Sequence, residues 1–295
     1  MNDATMCKRF MQAWGGHLRL ARISNLPTIF TNVWAGAALA GIWDRGSAAL
    51  LSVAILSLAL ALFYTAGMYL NDYLDYHVDC KERPERPLPR GTISRSSALG
   101  CIIGYFVIGL VLLAVVRPVA LIPGGGLVGV IVWYDCWHKN NCYSHWIMAL
   151  ARALVYVTTF VALGGSNLVL LLGASVWMLL YVAGLTYIAR SETRPDLLRY
   201  WPSALLVLPA LYFGWQATDG WRWVSVMFLV WCGWSLSFVY RRVNKSIGGG
   251  IERFIAGIAL LDAMVLASGG FSLLVYAAIG MFVLTRGLQR YIAGS

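Results

Sequence analysis

Asn71, Asp72, Asp75 and Asp79 form the pattern Asn-Asp-x-x-Asp-x-x-x-Asp at the end of a long apolar run. At about 100° of rotation per residue, a helix would place all four side chains within an arc of roughly 100°. Carboxylates packed so closely repel one another and need cations to share them. Hard divalent cations with oxygen ligands suit them, Mg²⁺ above all, which usually reaches its substrate through one or two carboxylates plus phosphate oxygens. A merely solvated helix end does not account for one acidic face followed by a stretch crowded with arginine. The spacing assigns Asp72, Asp75 and Asp79 as candidate metal ligands, with Asn71 beside them.

A second patch occurs in Tyr187-Ile-Ala-Arg190-Ser-Glu192-Thr-Arg194-Pro195-Asp196. Glu192 and Asp196, four apart, would share one face of a continuous helix. Pro195 disfavours helix at Arg194, so Asp196 also reads as an acid at the start of a following helix. Cations suited to phosphate accompany both patches: Lys81, Arg83, Arg86 and Arg90 follow the first, the last three within Arg-Pro-Glu-Arg-Pro-Leu-Pro-Arg-Gly. Its prolines forbid a helix and favour an extended, semi-rigid loop. Arginine's planar fork grips phosphate oxygens in pairs, although juxtamembrane arginines also anchor to lipid headgroups. Acidic metal ligands beside basic clamps suggest a diphosphate bound through Mg²⁺.

The elements that must position these residues are membrane spans. The chain has 295 residues, of which 59% are hydrophobic and only 12% charged, too apolar for a soluble domain of this size. Apolar runs fall at about 26–43, 48–70, 97–116, 119–134, 146–163, 167–189, 201–217 and 222–240. Two shorter runs, near 253–268 and 271–285, flank Gly269-Gly270 and read as a tight hairpin, giving ten spans; a single kinked ninth span is the alternative. The spans are read as one domain over residues 1–295. Lys8, Arg9, Arg19 and Arg22 and the basic groups at 81–95, 190–199 and 241–253 all fall on one side, which the positive-inside rule makes cytoplasmic. The opposite side receives little more than Arg45, Arg117 and Arg222. Four spans separate the two acidic patches, so both face the cytoplasm. The same bias accounts for the net charge of +10, leaving no need for a nucleic-acid partner.

No cleavable signal peptide is read, and the first apolar run is expected to stay as a span. The six cysteines lie mostly on the cytoplasmic side or within spans and are expected as free thiols. Cys136, His138, Cys142 and His145 are zinc-type ligands, but their spacing matches no usual finger and reads as a polar juxtamembrane loop. The glycine triplets at 124–126 and 248–250 match no phosphate-binding loop. Asp262 lies inside an apolar run, where an ionisable group is expensive unless paired. It either faces a central cavity or is hydrogen-bonded to a neighbouring helix, with Arg152 as its candidate partner.

Asn71-Asp72-Tyr-Leu-Asp75-Tyr-His-Val-Asp79 with Arg86-Pro-Leu-Pro-Arg-Gly91 resembles the first aspartate-rich motif of the UbiA superfamily of intramembrane prenyltransferases. The likeness extends over nearly the whole chain. Arg22-Ile-Ser-Asn25-Leu-Pro27 is similar to that family's first helix, whose asparagine faces the active site, and Tyr134 and Lys139 resemble its tyrosine and lysine after the fourth span. Where the family has Asp-x-x-x-Asp, this chain has Arg190, Glu192 and Asp196. Tyr181-Val-Ala-Gly-Leu-Thr-Tyr-Ile-Ala-Arg-Ser-Glu192 with Leu261-Asp262-Ala263 resembles the EboC-type branch. The resemblance implies an all-α bundle of nine core transmembrane helices, here with a tenth, in two pseudo-repeated halves around a central cavity.

The activity implied is Mg²⁺-dependent transfer of a prenyl group from a polyprenyl diphosphate to an unidentified acceptor within the bilayer. Asp72, Asp75, Asp79 and Glu192 would be the catalytic and metal-holding residues. Asn25, Asn71, Lys81, Arg83, Arg86, Tyr134, Lys139, Arg190 and Asp196 would bind substrate. The 13 tryptophans and 15 tyrosines are ample to supply π faces for an allylic cation. Two other readings stay open: a silent family member that binds a prenyl lipid, and an ion-coupled transporter, which would need broken helices and acids near the midplane.

Overall fold

The computed structural model describes residues 14–42, 47–137, 141–192, 198–217, 219–241 and 246–292. Each expected apolar run becomes a helix: α1 (Pro27–Leu39), α2 (Ser47–Leu74), α4 (Arg95–Val116), α5 (Leu121–Trp137), α6 (Ser144–Ala162), α7 (Leu168–Arg190), α8 (Trp201–Gln216), α9 (Arg222–Tyr240), α10 (Ile247–Ser268) and α11 (Ser272–Leu288). A short α3 (Tyr76–Glu82) follows α2. Local chemistry sets many of the ends. Pro27 opens α1 where its missing N–H is no loss, and the side chains of Ser94, Asn167 and Ser246 accept from the free amides at the starts of α4, α7 and α10. Gly270, at φ 78°, makes the tight turn between α10 and α11, so the last two runs are two helices and not one kinked span.

By length and composition, α2, α4, α5, α6, α7 and α9 are long and apolar enough to cross a membrane; α11 is apolar but shorter. The chain is an integral membrane protein. Its outward faces carry apolar side chains with no protein cover, such as Ile122, Val169 and Leu273, as helices facing lipid do. α10 is the opposite case: from Ala256 to Ala267 every residue is buried, the pattern of a central helix. It packs on α1, α7, α8, α9 and α11, while α1 also meets α2 and α6. Close approach is bought with glycine: a Cβ at Gly257 would stand 2.5 Å from the Tyr181 hydroxyl. That hydroxyl donates to the Phe254 carbonyl at 2.8 Å, tying α7 to α10.

A second, smaller core lies beside the ends of α2 and α4. Leu20, Tyr69, Leu88, Ile93, Ala98 and Ile102 are buried together. This cluster pins the helical segment 14–20 and the chain after α3 over the acidic end of the bundle as a roof. Tyr69 Oη is also 2.7 Å from His17 Nδ1. The stretch 83–91, expected as an extended loop, is instead folded into consecutive turns. Arg86 N–H donates to the Arg83 carbonyl (3.1 Å), Arg90 N–H to that of Arg86 (3.0 Å), and Thr92 N–H to that of Pro87 (3.0 Å). The prolines do exclude a long helix, but burial of Leu88 and Ile93 draws the chain back on itself.

Candidate active site

A cavity of about 910 Å³ lies among α1, α2, α5, α6, α7 and α10, beneath the roof. Its wall has two zones. Arg19, Arg22, Asn71, Asp72, Asp75, Arg83, Glu85, Arg86, Tyr134, Asp135, Arg190 and Glu192 form a polar mouth, and Ile29, Leu60, Phe63, Met148, Val155 and Ile258 are among the apolar residues deeper in. The acids therefore cluster at one end of their helices and a greasy interior continues behind them.

The aspartate pattern behaves almost as one helix. α2 stops at Leu74, Asp75 forms a turn with its N–H on the Asn71 carbonyl (3.0 Å), and α3 resumes with the Asp79 N–H on the Asp75 carbonyl (2.9 Å). Asp72 and Asp75 line the cavity. Asp79 does not; it is buried, and Arg86 Nη1 donates to its Oδ2 at 2.7 Å. The same nitrogen is 3.2 Å from Asp72 Oδ1, and Arg22 Nη2 is 3.6 Å from it. The cation that packed carboxylates require is thus supplied for two of the three by arginine. Among the described residues no group of three or more His, Cys, Asp or Glu side chains is placed to hold a metal ion. Asp72, Asp75, Asp79 and Glu192 do not converge on a ready-made cage, because Arg86 stands between two of them and Asp79 turns from the cavity.

Arg22, placed here by the turn before α1, is the one non-glycine residue with positive φ among the described residues, at 42°. Such backbone strain persists where surrounding contacts enforce it. Its carbonyl accepts from Tyr64 Oη (3.3 Å), and its Nη2 is 3.5 Å from Asn71 Oδ1. Asn71 in turn donates Nδ2 to Asp135 Oδ1 at 3.2 Å. Asp135 is a buried site acid that the sequence reading passed over. The signal was available: the apolar run ending at 134 leaves an acid at the next residue, on the same side as both patches.

The second patch meets the first across this cavity. Arg190 closes α7 and donates Nη1 to the Cys142 carbonyl at 2.8 Å. Glu192, just beyond, lines the cavity and is exposed. It lies against the first turn of α10, where a Cβ on Gly248 would be 2.8 Å from Glu192 Oε1. Gly248, the first of the triplet 248–250, therefore leaves room for an acid. Asn25 and Tyr134 line the cavity, and Asn25 Oδ1 accepts from Gln289 Nε2 at 2.9 Å. Lys81 is a correction: it is exposed and does not border the cavity, since it falls on the outer side of α3. Lys139 and Asp196 lie outside the described residues.

Asp262 is fully buried and makes its bonds to neighbouring helices. Its carboxylate accepts from Thr31 Oγ1 (2.5 Å), Tyr156 Oη (2.5 Å) and Asn32 Nδ2 (2.9 and 2.7 Å to the two oxygens). Arg152 reaches it only through Asn32, donating Nη1 to Asn32 Oδ1 at 2.7 Å, and donates Nη2 to Thr28 Oγ1 at 2.9 Å. Arg152 also borders the cavity.

Oxygen donors on facing walls, surrounded by arginines, fit a hydrated Mg²⁺ carried on phosphate, which needs only one or two protein carboxylates. Solved structures share this fold. A UbiA homolog from Archaeoglobus fulgidus bound to GPP and Mg²⁺ superposes with a TM-score of 0.65 at 16% identity, covering 88% of this chain and 99% of that one. Among curated proteins, digeranylgeranylglyceryl phosphate synthase of Sulfolobus acidocaldarius is 30% identical over 142 residues, 47% of this chain and 49% of the relative. The 4-hydroxybenzoate octaprenyltransferase of Pseudomonas putida is 26% identical over 184 residues, 62% of this chain and 60% of the relative. The chain thus spans less than two thirds of the length of either curated relative. Residues 29–253, well over half of the sequence, match the model of the UbiA prenyltransferase family, and the chain belongs to that family.

Proposed function

We propose that the protein transfers an isoprenyl group from a polyprenyl diphosphate to an acceptor within the membrane, with Mg²⁺ as cofactor. One observation carries this reading: a single cavity combines carboxylates and arginines at its mouth with an apolar interior, matching a ligand with a diphosphate head and a hydrocarbon tail. Asp72 and Asp75 on one wall and Glu192 on the other would hold the metal, which when bound would offset the charge of the departing diphosphate. Arg22, Arg83, Arg86 and Arg190 would grip the remaining phosphate oxygens. Arg86 must then exchange a carboxylate for a phosphate partner.

In the transfer, the bond from the allylic C1 to oxygen breaks and its electron pair leaves with the diphosphate. The acceptor nucleophile forms the new bond to C1 and passes its proton to the departing diphosphate. The apolar walls exclude water that would otherwise capture C1, and Tyr134, an aromatic residue of the cavity wall, would offer a π face to developing positive charge. The positive-inside bias supports a cytoplasmic position for the mouth. The relatives named above support an acceptor drawn from lipid or aromatic chemistry, without selecting one.

Titration of purified protein with geranyl diphosphate, with Mg²⁺ and with EDTA, tests the reading. Binding that needs Mg²⁺ and falls at least tenfold in Asp75→Asn is expected; unchanged binding in that variant would sink the metal-site assignment. Mg²⁺-dependent binding without turnover for any acceptor in a cell extract would instead favour the silent lipid-binding member, which the departure of the second patch from Asp-x-x-x-Asp also suits.

A further inference from the structure

Arg152 is a cation that the transfer chemistry leaves unused. Measured along α6 from Ser144 it lies about 12 Å in, whereas Asp72 is only about 3 Å from the end of α2, so Arg152 sits well below the acidic mouth. An arginine at such depth is expensive and is a sign of function unless a direct ion pair explains it. None does: the ion pairs among the described residues involve Arg22 and Arg86, and Asn32 is interposed between Arg152 and Asp262. A guanidinium carries five N–H donors, and the bonds to Asn32 and Thr28 engage two. The rest are not among the buried polar atoms lacking a partner, and the side chain borders the cavity. Asp262, itself saturated by Thr31, Asn32 and Tyr156, thus holds Asn32 against a guanidinium that borders the cavity and keeps three N–H groups beyond those given to Asn32 and Thr28.

We propose that Arg152 binds an oxyanion, carboxylate or phosphate, carried by the acceptor, with Thr28, Asn32 and Asp262 as positioning residues. The proposal rests on the prenyl-transfer reading and names the acceptor's class. It also has a mechanistic consequence. The Arg152 charge is balanced only in part by Asp262 across Asn32, and what remains opposes an allylic cation above it, an opposition that an anionic acceptor lessens. Ionisation of the donor is then easier with the acceptor in place.

The test uses the full chain in nanodiscs of uncharged phosphatidylcholine, titrated with 4-hydroxybenzoate as the carboxylate arm, glycerol 1-phosphate as the phosphate arm and methyl 4-hydroxybenzoate as the neutral control. Binding is read by tryptophan fluorescence. At least one anion should bind tenfold or more tightly than the neutral ester, and Arg152→Gln should abolish that preference. Arg152→Lys keeps the charge without the planar fork and should retain only part of it. Geranyl diphosphate binding with Mg²⁺, measured on each variant, reports an intact cavity. The two failures separate: absence of diphosphate binding in the wild type overturns the transferase reading. Intact diphosphate binding with no anion preference, or with a preference that survives Arg152→Gln, overturns the Arg152 assignment alone.

Discussion

Asp262→Ala is the substitution whose effect follows most directly from the geometry. The carboxylate accepts from three side chains, Thr31, Asn32 and Tyr156. They do not suffer equally when it is removed. Thr31 Oγ1 is also 3.1 Å from the Thr28 carbonyl and can turn to it. Asn32 Nδ2 and Tyr156 Oη have no such alternative partner among the described residues. Hydrogen bonds between membrane helices contribute about 0.6–2 kcal/mol each, so two lost groups give about 1–4 kcal/mol. Removing the negative charge that faces Arg152 through Asn32 adds to this, which makes the figure a lower bound. Asp262→Asn keeps a carbonyl acceptor and should lose less. Unfolding by SDS in mixed micelles, followed by tryptophan fluorescence, measures both. A loss under about 0.5 kcal/mol for Asp262→Ala, the range of surface substitutions, or a larger loss for Asn than for Ala, would refute the network as a stabilising unit.

Three further outcomes are expected. Asp79→Asn should weaken Mg²⁺-dependent geranyl diphosphate binding less than Asp75→Asn does, because Asp79 acts only through Arg86; calorimetric titration of both variants decides it, and equal losses would return Asp79 to the metal site. Gly248→Ala would set a methyl 2.8 Å from Glu192 Oε1 and displace that carboxylate, so it should reduce diphosphate affinity severalfold while Gly280→Ala, where nothing lies within 4 Å, leaves it unchanged. Glu85→Cys in a background without other cysteines should resist impermeant maleimide added outside intact cells; labelling from outside would invert the orientation given by the positive charges.

The helices were legible because each follows an apolar run and the breaks carry strong punctuation, as at Gly269-Gly270. The acidic mouth was legible because Asn71, Asp72 and Asp75 are neighbours at the end of one helix and in the turn just after it, and because counting spans returns Glu192 to their side. What escaped depends on contacts between distant parts of the chain. Asp79 has helical spacing that puts it on the acidic face, yet a break at Asp75 and the returning Arg86 turn it into a buried ion pair. The folded form of 83–91 depends on Leu88 finding Leu20 and Tyr69, which no local rule contains. Asp262 was open to two readings from sequence, since only the fold brings residues 31, 32, 156 and 262 to one point.

The roof packs on a small apolar cluster that includes Tyr69 of α2 and Ala98 and Ile102 of α4 and is distinct from the main core of the bundle. Of the described side chains, Phe106 alone packs against both clusters. Segments held by so small a cluster, together with Arg86 on Asp72 and Asp79 and His17 on Tyr69, can open locally at a free energy set by those few contacts, not by the global stability of the protein. The polar mouth can therefore exchange a charged head with water by local unfolding of residues 14–20 and 83–93, while α1 and α10 stay packed and the hydrocarbon interior stays dry. Amide hydrogen exchange would then follow two clocks, a fast one in the roof and a slow one in α10.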